Sequence, residues 1–201
     1  MKNKIQNYNI IILLASILIV FVFGISVINS NSLNEIVRTS SSNLSNKKIG
    51  WGIKRVADHK TPDLGAENKK ILELYNGVTL GDTNSNNVYL TFDEGYEAGY
   101  TEQILETLKN NNVTATFFIT AHYVNSRPDL VQKMIDEGHI IGNHTVNHKS
   151  MPDLTDEKIK SEIMDLHTAI YEKFGYEMKY IRPPMGEFSE RTLSIINSLR
   201  I

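Results

Sequence analysis

The apolar positions of residues 88–201 change their spacing repeatedly along the chain, and each spacing predicts a different element. Short continuous apolar runs are typical of buried strands, whereas apolar residues three and four positions apart are typical of helices. The pattern predicts strands at about 88–93, 113–120, 139–144 and 179–184, and helices at about 101–110, 128–137 and 156–174, with another beginning near 189. Strands that alternate with helices in this way favour a parallel sheet covered by helices, an α/β fold.

Residues 10–28 form an uncharged, largely apolar run. A helix of that length measures roughly 28 Å, close to the hydrocarbon thickness of a bilayer. Lys2 and Lys4 precede the run, which favours a cytoplasmic N-terminus and a transmembrane signal anchor. A cleaved signal peptide and a buried core helix are the alternatives. The anchor and the signal peptide both place the remaining chain outside the cytoplasm.

Composition divides the chain into four segments. Residues 1–28 are the cytoplasmic tip and the anchor, and residues 29–48 form a linker rich in Ser and Asn with few large apolar residues. Residues 49–86, which hold the only tryptophan of the chain, are expected to be an extension that packs on the domain after them. That domain, with the alternating strands and helices, occupies residues 87–201.

The overall composition is that of a globular protein and excludes several classes of site. Of 201 residues, 41% are hydrophobic and 22% are charged, so a packed core is possible. The net charge of -2 lacks the basic excess of a nucleic-acid-binding surface, and no nucleic acid is expected as a partner. Because the chain has no cysteine, disulfides, thiolate nucleophiles and cysteine-ligated zinc are excluded.

Polar residues collect where the predicted strands end. Asp93 and Glu94 end the first strand, His144 ends the third, and Arg182 lies near the end of the fourth. Since the carboxyl ends of parallel strands share one edge of a sheet, these side chains are expected to meet in an active site. The structural alternatives are a helix N-cap for the two acids and a surface ion pair for Arg182.

His144 and His148 lie four residues apart, a spacing that brings two imidazoles to one side of a helical turn. By itself this spacing also suits a solvated surface. Two histidines with one carboxylate form a recurrent catalytic metal set, so the nearby acids favour a shared divalent ion. One acid can then ligate the metal while the other takes a proton from water, with Arg182 favouring the ionised base.

The segments TFDEGYE, HTVNH and RPPMG resemble, in this order, the first three motifs of the polysaccharide deacetylases. The stretches WGIKR and DEGHIIGNHT are similar, more narrowly, to the delta-lactam-biosynthetic de-N-acetylases of spore formers. The resemblance implies a distorted (β/α) barrel that removes acetyl groups, with the help of a metal, from N-acetylmuramic acid in peptidoglycan. That reaction lies on the route to muramic lactam in spore cortex. Peptidoglycan glycan strands are therefore the implied partner.

The same resemblance implies a role for each site residue. Asp93 is the catalytic base, Arg182 positions it, and His144 and His148 ligate a divalent metal ion, with zinc the expected one. The family usually has a metal-ligating Asp at the position of Glu94, which makes this residue the third expected ligand.

Two further motifs of the family, an Asp/Trp segment and a Leu-x-His that carries the general acid, do not occur after RPPMG in this sequence. We therefore expect a truncated (β/α) barrel. The alternatives to a hydrolase are an inactive homologue that binds peptidoglycan glycan and an iron-dependent oxygenase, whose usual His-x-Asp/Glu pairing is missing here. The other histidines are expected to be solvent-facing or structural, and His122, which follows the second strand, is the one that could face the site; they are His59, His122, His139 and His167.

Overall fold

The computed structural model of the protein describes residues 44–52, 54–58 and 60–201. Ser45–Ile201 form one compact unit, and the description below concerns this unit. Its elements in chain order are β1 (Ile49–Gly50), α1 (Ala66–Leu74), β2 (Thr91–Glu94), α2 (Thr101–Asn110), β3 (Thr116–Ile119), α3 (Ala121–Ser126), α4 (Pro128–Asp136), β4 (Ile140–Asn143), α5 (Asp156–Phe174), β5 (Glu187–Phe188) and α6 (Glu190–Ser198), with short 3₁₀ turns at Met151–Asp153 and Pro184–Gly186.

The apolar run at 10–28, predicted to be a transmembrane anchor, lies outside the described residues, as does most of the predicted linker at 29–48. Within the part of the chain that the structure describes, no helix is both long enough and apolar enough to cross a membrane. The anchor therefore stays a prediction from the sequence.

The central sheet has three parallel strands in the order β2-β3-β4, which confirms the predicted parallel arrangement. Phe92 pairs with Phe117, and Phe117 pairs with Ile141, so the three strands are in simple register. The predicted fourth strand is reduced to a single parallel bridge between Ile181 and Asn143. Two prolines follow shortly after this bridge, and proline has no N–H with which to continue a ladder.

The first strand is shorter than predicted, because β2 begins at Thr91 rather than at residue 88. The apolar residues before it are exposed rather than buried: Val88 by 83%, Tyr89 by 66% and Leu90 by 41%. β2 lies at an edge of the described sheet and pairs there with β3 alone. The structure thus corrects the prediction that this whole run is buried.

The longest helix, α5, joins two apolar clusters. Its apolar residues recur at three- and four-residue spacing, as the sequence predicts. Ile159 and Ile163 pack in a cluster with the C-terminal helix α6, whereas Leu166 and Ile170 pack in the main core beside the sheet. Because burial of each such side chain is worth about 1.5–3 kcal/mol, this one helix face holds the sheet and the C-terminal helix together.

The segment before the sheet packs on the RPPMG segment. β1 pairs antiparallel with β5, and Ile49 lies opposite Phe188. The N–H of Trp51 donates to the carbonyl oxygen of Gly186 at 2.7 Å. The extension predicted at 49–86 therefore begins in contact with the part of the chain that follows the candidate site.

Candidate active site

Asp93 and Thr91 lie on one face of β2 and Glu94 lies on the other, because successive side chains of a strand alternate. The side chain of Arg182 reaches the first face. Its Nη1 donates to Oδ1 of Asp93 at 2.6 Å, and its Nη2 donates to the Thr91 hydroxyl at 2.9 Å. The structure therefore brings together the acid and the arginine that the sequence predicts to act as a pair.

Arg182 is also held by an aromatic ring from the neighbouring strand. Its guanidinium carbon lies 4.2 Å from the ring centroid of Phe118, a distance typical of a cation–π contact. Phe118 pairs with Asp93 across β2 and β3. The Asp93 side chain remains 44% exposed, so it is open to a substrate. Because an exposed ion pair adds at most about 1 kcal/mol to stability, the main effect of this contact is to orient the carboxylate.

The two motif histidines face each other, with their Nε2 atoms 3.1 Å apart. Nδ1 of His144 lies 2.9 Å from the carbonyl oxygen of Arg182, and since a carbonyl can only accept, we assign the proton to Nδ1. That assignment leaves the lone pair of the His144 Nε2 directed toward His148, the tautomer that a metal-ligating histidine requires. Burial lowers the pKa of His144, which favours this neutral form. Oδ2 of Asp93 lies 3.9 Å from the same Nε2.

The donor types at this position suit a divalent cation. Two imidazole nitrogens and a nearby carboxylate oxygen are ligands that zinc and several other divalent ions accept. Among the residues that the structure describes, however, no three His, Asp or Glu side chains form a set that could hold an ion as they stand. The side chains that meet here are those of His144, His148 and Asp93. Glu94, the third expected ligand, is not among them.

Glu94, that expected ligand, is half-buried on the opposite face of β2. Burial, with the nearby carboxylates of Glu97 and Asp93, raises the pKa of Glu94 to about 7. A carboxyl group that is desolvated among other acids is one whose charged form a nearby cation would stabilise. Ligation of a metal by Glu94 stays a prediction.

The loop that carries the histidines is not the helical turn that their spacing predicts. Thr145 and His148 have positive φ angles of 68° and 52°, which non-glycine residues seldom adopt. Two side chains support this backbone, one from the end of β4 and one from the loop itself. Oδ1 of Asn143 accepts from the Thr145 N–H at 2.9 Å, and the Thr145 hydroxyl accepts from the His148 N–H at 3.1 Å. The imidazoles therefore meet across a tight, irregular loop.

Sequence reasoning misses two residues that build the site. Asn143 is fully buried, and its Nδ2 donates to the carbonyl oxygen of Ile163 at 2.8 Å while its Oδ1 supports the histidine loop. Thr91 accepts from Arg182. Both carry a signal in the sequence: Asn143 is a polar residue at the end of an apolar strand, and Thr91 lies two positions before Asp93, on the same face.

The other histidines take no part in the hydrogen bonds and ion pairs of the site that the described residues form. His139 is structural, as predicted, since it is 4% exposed and its Nδ1 accepts from the N–H of Ala115 at 3.2 Å. His122 is exposed on α3. His59 lies outside the described residues. The sequence-based suggestion that His122 faces the site gains no contact to support it.

Comparison with known proteins supports the resemblance that the motifs indicate. A family model described as polysaccharide deacetylase matches residues 80–201. The chain is 45% identical over 157 residues to an uncharacterized protein of Geobacillus stearothermophilus, which covers 78% of this chain and 59% of the relative. It is 43% identical over 149 residues to the peptidoglycan-N-acetylmuramic acid deacetylase PdaA of Bacillus subtilis, which covers 74% and 57%. It is 36% identical over 122 residues to a peptidoglycan-N-acetylglucosamine deacetylase of Bacillus cereus, which covers 61% and 44%.

The fold agrees with these sequence matches. The solved structure of Bacillus subtilis PdaA, a family 4 carbohydrate esterase, aligns with a TM-score of 0.76 and 40% sequence identity, over 78% of this chain and 68% of that one. The chain spans less than three fifths of the length of the first two curated relatives, at 59% and 57%. The matched family segment, residues 80–201, covers more than half of the chain and contains every residue of the site. The chain belongs to the polysaccharide deacetylase family.

Proposed function

We propose that this chain removes N-acetyl groups from the amino sugars of peptidoglycan, with N-acetylmuramic acid as its target, on the route to muramic lactam. The observation that carries the proposal is the convergence of the Asp93–Arg182 pair and the His144–His148 pair. The choice of sugar is supported by the relative named for N-acetylmuramic acid, which is 43% identical, against 36% for the relative named for N-acetylglucosamine.

In this proposal, His144 and His148 hold a divalent ion, with Glu94 as the third ligand and zinc as the expected metal. Such an ion supplies Lewis acidity, which stabilises negative charge on the acetamide oxygen. The tautomer assigned to His144 supports this role, because its Nδ1 donates to the Arg182 carbonyl and its Nε2 keeps a free lone pair.

Asp93 acts as the general base. Its carboxylate accepts a hydrogen bond from Arg182 and is partly exposed, so it can take a proton from a water that attacks the acetamide carbonyl carbon. The oxygen of that water becomes part of acetate. The C–N bond breaks, and the nitrogen takes up a proton to become the free amine of the sugar. Arg182 orients the carboxylate and favours its ionised form throughout.

The proposed place of action is outside the cytoplasm, where peptidoglycan lies, with residues 10–28 as the membrane anchor. The uncharged apolar run and the two lysines before it support this arrangement. Protease added to spheroplasts that express the full chain should digest the domain at 87–201. Protection of the domain until the membrane is lysed would contradict this location.

The activity is tested by acetate release from peptide-stripped peptidoglycan, using the full chain with and without a chelator. We expect release that the chelator stops and added zinc restores. Release that the chelator leaves unchanged would contradict the metal dependence. Binding of the glycan without any release would instead favour the second candidate, a non-catalytic homologue that binds peptidoglycan.

Two histidine variants make a matched control for that assay. His148→Ala should lose both acetate release and zinc binding, because it removes one of the two imidazoles that face each other. His122→Ala removes an exposed imidazole on α3 and should leave both quantities unchanged. Equal effects of the two substitutions would contradict the assignment of the metal ligands.

A further inference from the structure

Glu162 is a carboxylate in an unexpected place. It lies on α5 next to Ile163, which is fully buried, and the residue itself is only 1% exposed. A carboxylate is expensive to bury unless each of its oxygens has a partner, so the partners of Glu162 indicate why an apolar residue does not occupy this position.

Those partners belong to the loop that carries the two histidines. Oε2 of Glu162 accepts from the backbone N–H of Asn147 at 2.7 Å, and Oε1 accepts from the Asn147 Nδ2 at 2.7 Å. The backbone carbonyl of Glu162 accepts from the N–H of Val146 at 3.0 Å. Lys158 adds an ion pair, since its Nζ lies 3.7 Å from Oε1. One helix residue therefore holds two consecutive residues of the loop by three hydrogen bonds.

His148 directly follows Val146 and Asn147, the two residues that Glu162 holds. Its φ angle of 52° is in the left-handed region, which a non-glycine residue occupies only where its surroundings hold it there. The hydrogen bonds to Val146 and Asn147 fix the chain immediately before that angle. They therefore set the direction in which the His148 imidazole leaves the backbone, toward the Nε2 of His144 at 3.1 Å.

We propose that Glu162 is a positioning residue, which fixes the His148 imidazole for the divalent ion while itself touching neither the ion nor the substrate. This inference rests on the proposed function, because it assumes that His148 ligates a metal. If the role of Glu162 were merely structural, its contacts between α5 and the loop would affect the stability of the fold and leave metal affinity unchanged. The two roles differ in what they predict for metal affinity in protein that is fully folded.

The first test is a titration of the metal-free full chain with zinc, in the wild type, Glu162→Gln and Glu172→Gln. Glu172 is exposed on the same helix, so its substitution makes the same change of charge away from the loop. Loss of a side chain that orients a metal ligand lowers metal affinity about 10- to 100-fold. We expect this loss of zinc affinity in Glu162→Gln and not in Glu172→Gln. Wild-type zinc affinity in folded Glu162→Gln would overturn the inference.

A second variant keeps the test decisive if Glu162→Gln folds poorly. The double substitution Asn147→Asp with Glu162→Gln exchanges the two side-chain groups. The amide oxygen now at position 162 can accept a hydrogen bond from the backbone N–H of residue 147, and the amide N–H at position 162 can donate to the carboxylate now at position 147. Zinc affinity should return to within a few-fold of wild type, whereas Asn147→Asp alone sets two carboxylates together and should weaken it. A double variant that binds zinc no better than either single variant would contradict the inference.

A readout without metal separates this inference from the proposed function. In metal-free protein, NMR signals of the His148 ring should shift in Glu162→Gln and stay in place in Glu172→Gln. If the wild type binds no zinc, the proposed function fails and the role of Glu162 toward the metal fails with it. If the wild type binds zinc, but either the zinc affinity or the ring signals respond to Glu162→Gln no more than to Glu172→Gln, only the inference about Glu162 fails.

Discussion

The two halves of the site are built in different ways. The histidine half, which holds His144 and His148, follows β4, a strand that pairs with β3 and bridges to Ile181. At this strand end, Asn143 is 0% and His144 is 3% exposed. The acid half ends β2, an edge strand of the described sheet, and the side chain of Asp93 is 44% exposed. The histidine half is therefore fixed by the burial of Asn143 and His144 and by several hydrogen bonds that reach the exposed His148, while the acid half depends largely on a single arginine.

This difference suits the two functions proposed for the halves, metal binding by the histidines and proton transfer by the acid. Metal ligands must keep a fixed mutual geometry. The histidine loop provides it, because the loop starts from the buried residues Asn143 and His144 and its polar groups are paired up to the exposed His148. A general base must reach a bulky glycan, so it has to stand at an accessible edge. Substitutions in the acid half should therefore reduce the reaction rate and spare the fold, whereas substitutions in the histidine half should affect stability and metal binding together.

The largest effect in the acid half, short of removing the base, is expected from Arg182→Lys. Lysine can replace the charge, but it cannot bond Asp93 and Thr91 together or stack on Phe118 in the same way. A hydrogen bond to a charged group is worth about 1.5–3 kcal/mol, so acetate release should fall roughly 10- to 100-fold. The free energy of unfolding, measured in urea, should change little. A large loss of stability with the rate per folded molecule unchanged would contradict the claim that the acid half determines the reaction rate rather than the stability.

Periodicity predicts the parts of this structure that burial determines. The spacing of Ile159, Ile163, Leu166 and Ile170 predicts α5 because one face of that helix is buried throughout, and strand–helix alternation predicts the parallel sheet for the same reason. The exposed start of the first strand was beyond this reasoning, since the run at 88–90 is apolar whether or not another strand covers it.

The site was predictable to a lesser degree. Convergence of the acids, the histidines and Arg182 follows from the parallel sheet, whose strand ends share one edge. The backbone of the histidine loop does not follow from local sequence, because Glu162 and Asn143 hold it from outside the HTVNH motif. Spacing alone therefore predicts a helical turn where tertiary hydrogen bonds impose left-handed φ angles.

The next effect concerns the packing beneath the histidine half. A methyl group at Gly142 of β4 would overlap the ring of Phe118, which is also the ring under Arg182. Gly142→Ala should therefore lower the free energy of unfolding by about 1–3 kcal/mol, as overpacking does, and should also reduce acetate release. Gly50→Ala places its methyl group in open space and is the matched control. Equal stabilities of the two variants in urea would contradict this packing.

A smaller effect is expected where the N-terminal extension meets the RPPMG segment. Gly186 has a φ angle of 65°, and a Cβ there would lie 2.7 Å from the Cβ of Trp51. Gly186→Ala should cost about 1 kcal/mol or more and should shift the fluorescence of this single tryptophan. Gly175→Ala is the control, because Gly175 has a similar φ angle of 64° and a Cβ there would have no neighbour within 4 Å. It should lose only the part of the stability that the φ angle costs, and it should leave the fluorescence unchanged. Unchanged fluorescence in both variants would contradict the contact.

The smallest effect depends on pH and concerns the loop after the acid half. Burial raises the pKa of Glu97, but hydrogen bonds from Thr101, Gly99 and Tyr123 outweigh it and hold the pKa below its ordinary 4.5. A lowered folded-state pKa stabilises the fold above about pH 4.5, and this contribution is lost as the pH falls further. Tyr123→Phe should thus cost about 1 kcal/mol at pH 7 and less at pH 3. A cost that does not change between these pH values, measured by urea unfolding, would contradict it.

The most direct measurement is acetate release and zinc affinity, determined side by side for Asp93→Asn and His148→Ala. Loss of a general base costs about 10²- to 10⁴-fold in rate, so Asp93→Asn should lose acetate release and still bind zinc. His148→Ala should lose both. Asp93→Asn with a near-normal rate, or with zinc binding lost as completely as in His148→Ala, would contradict the separation of base and metal ligands.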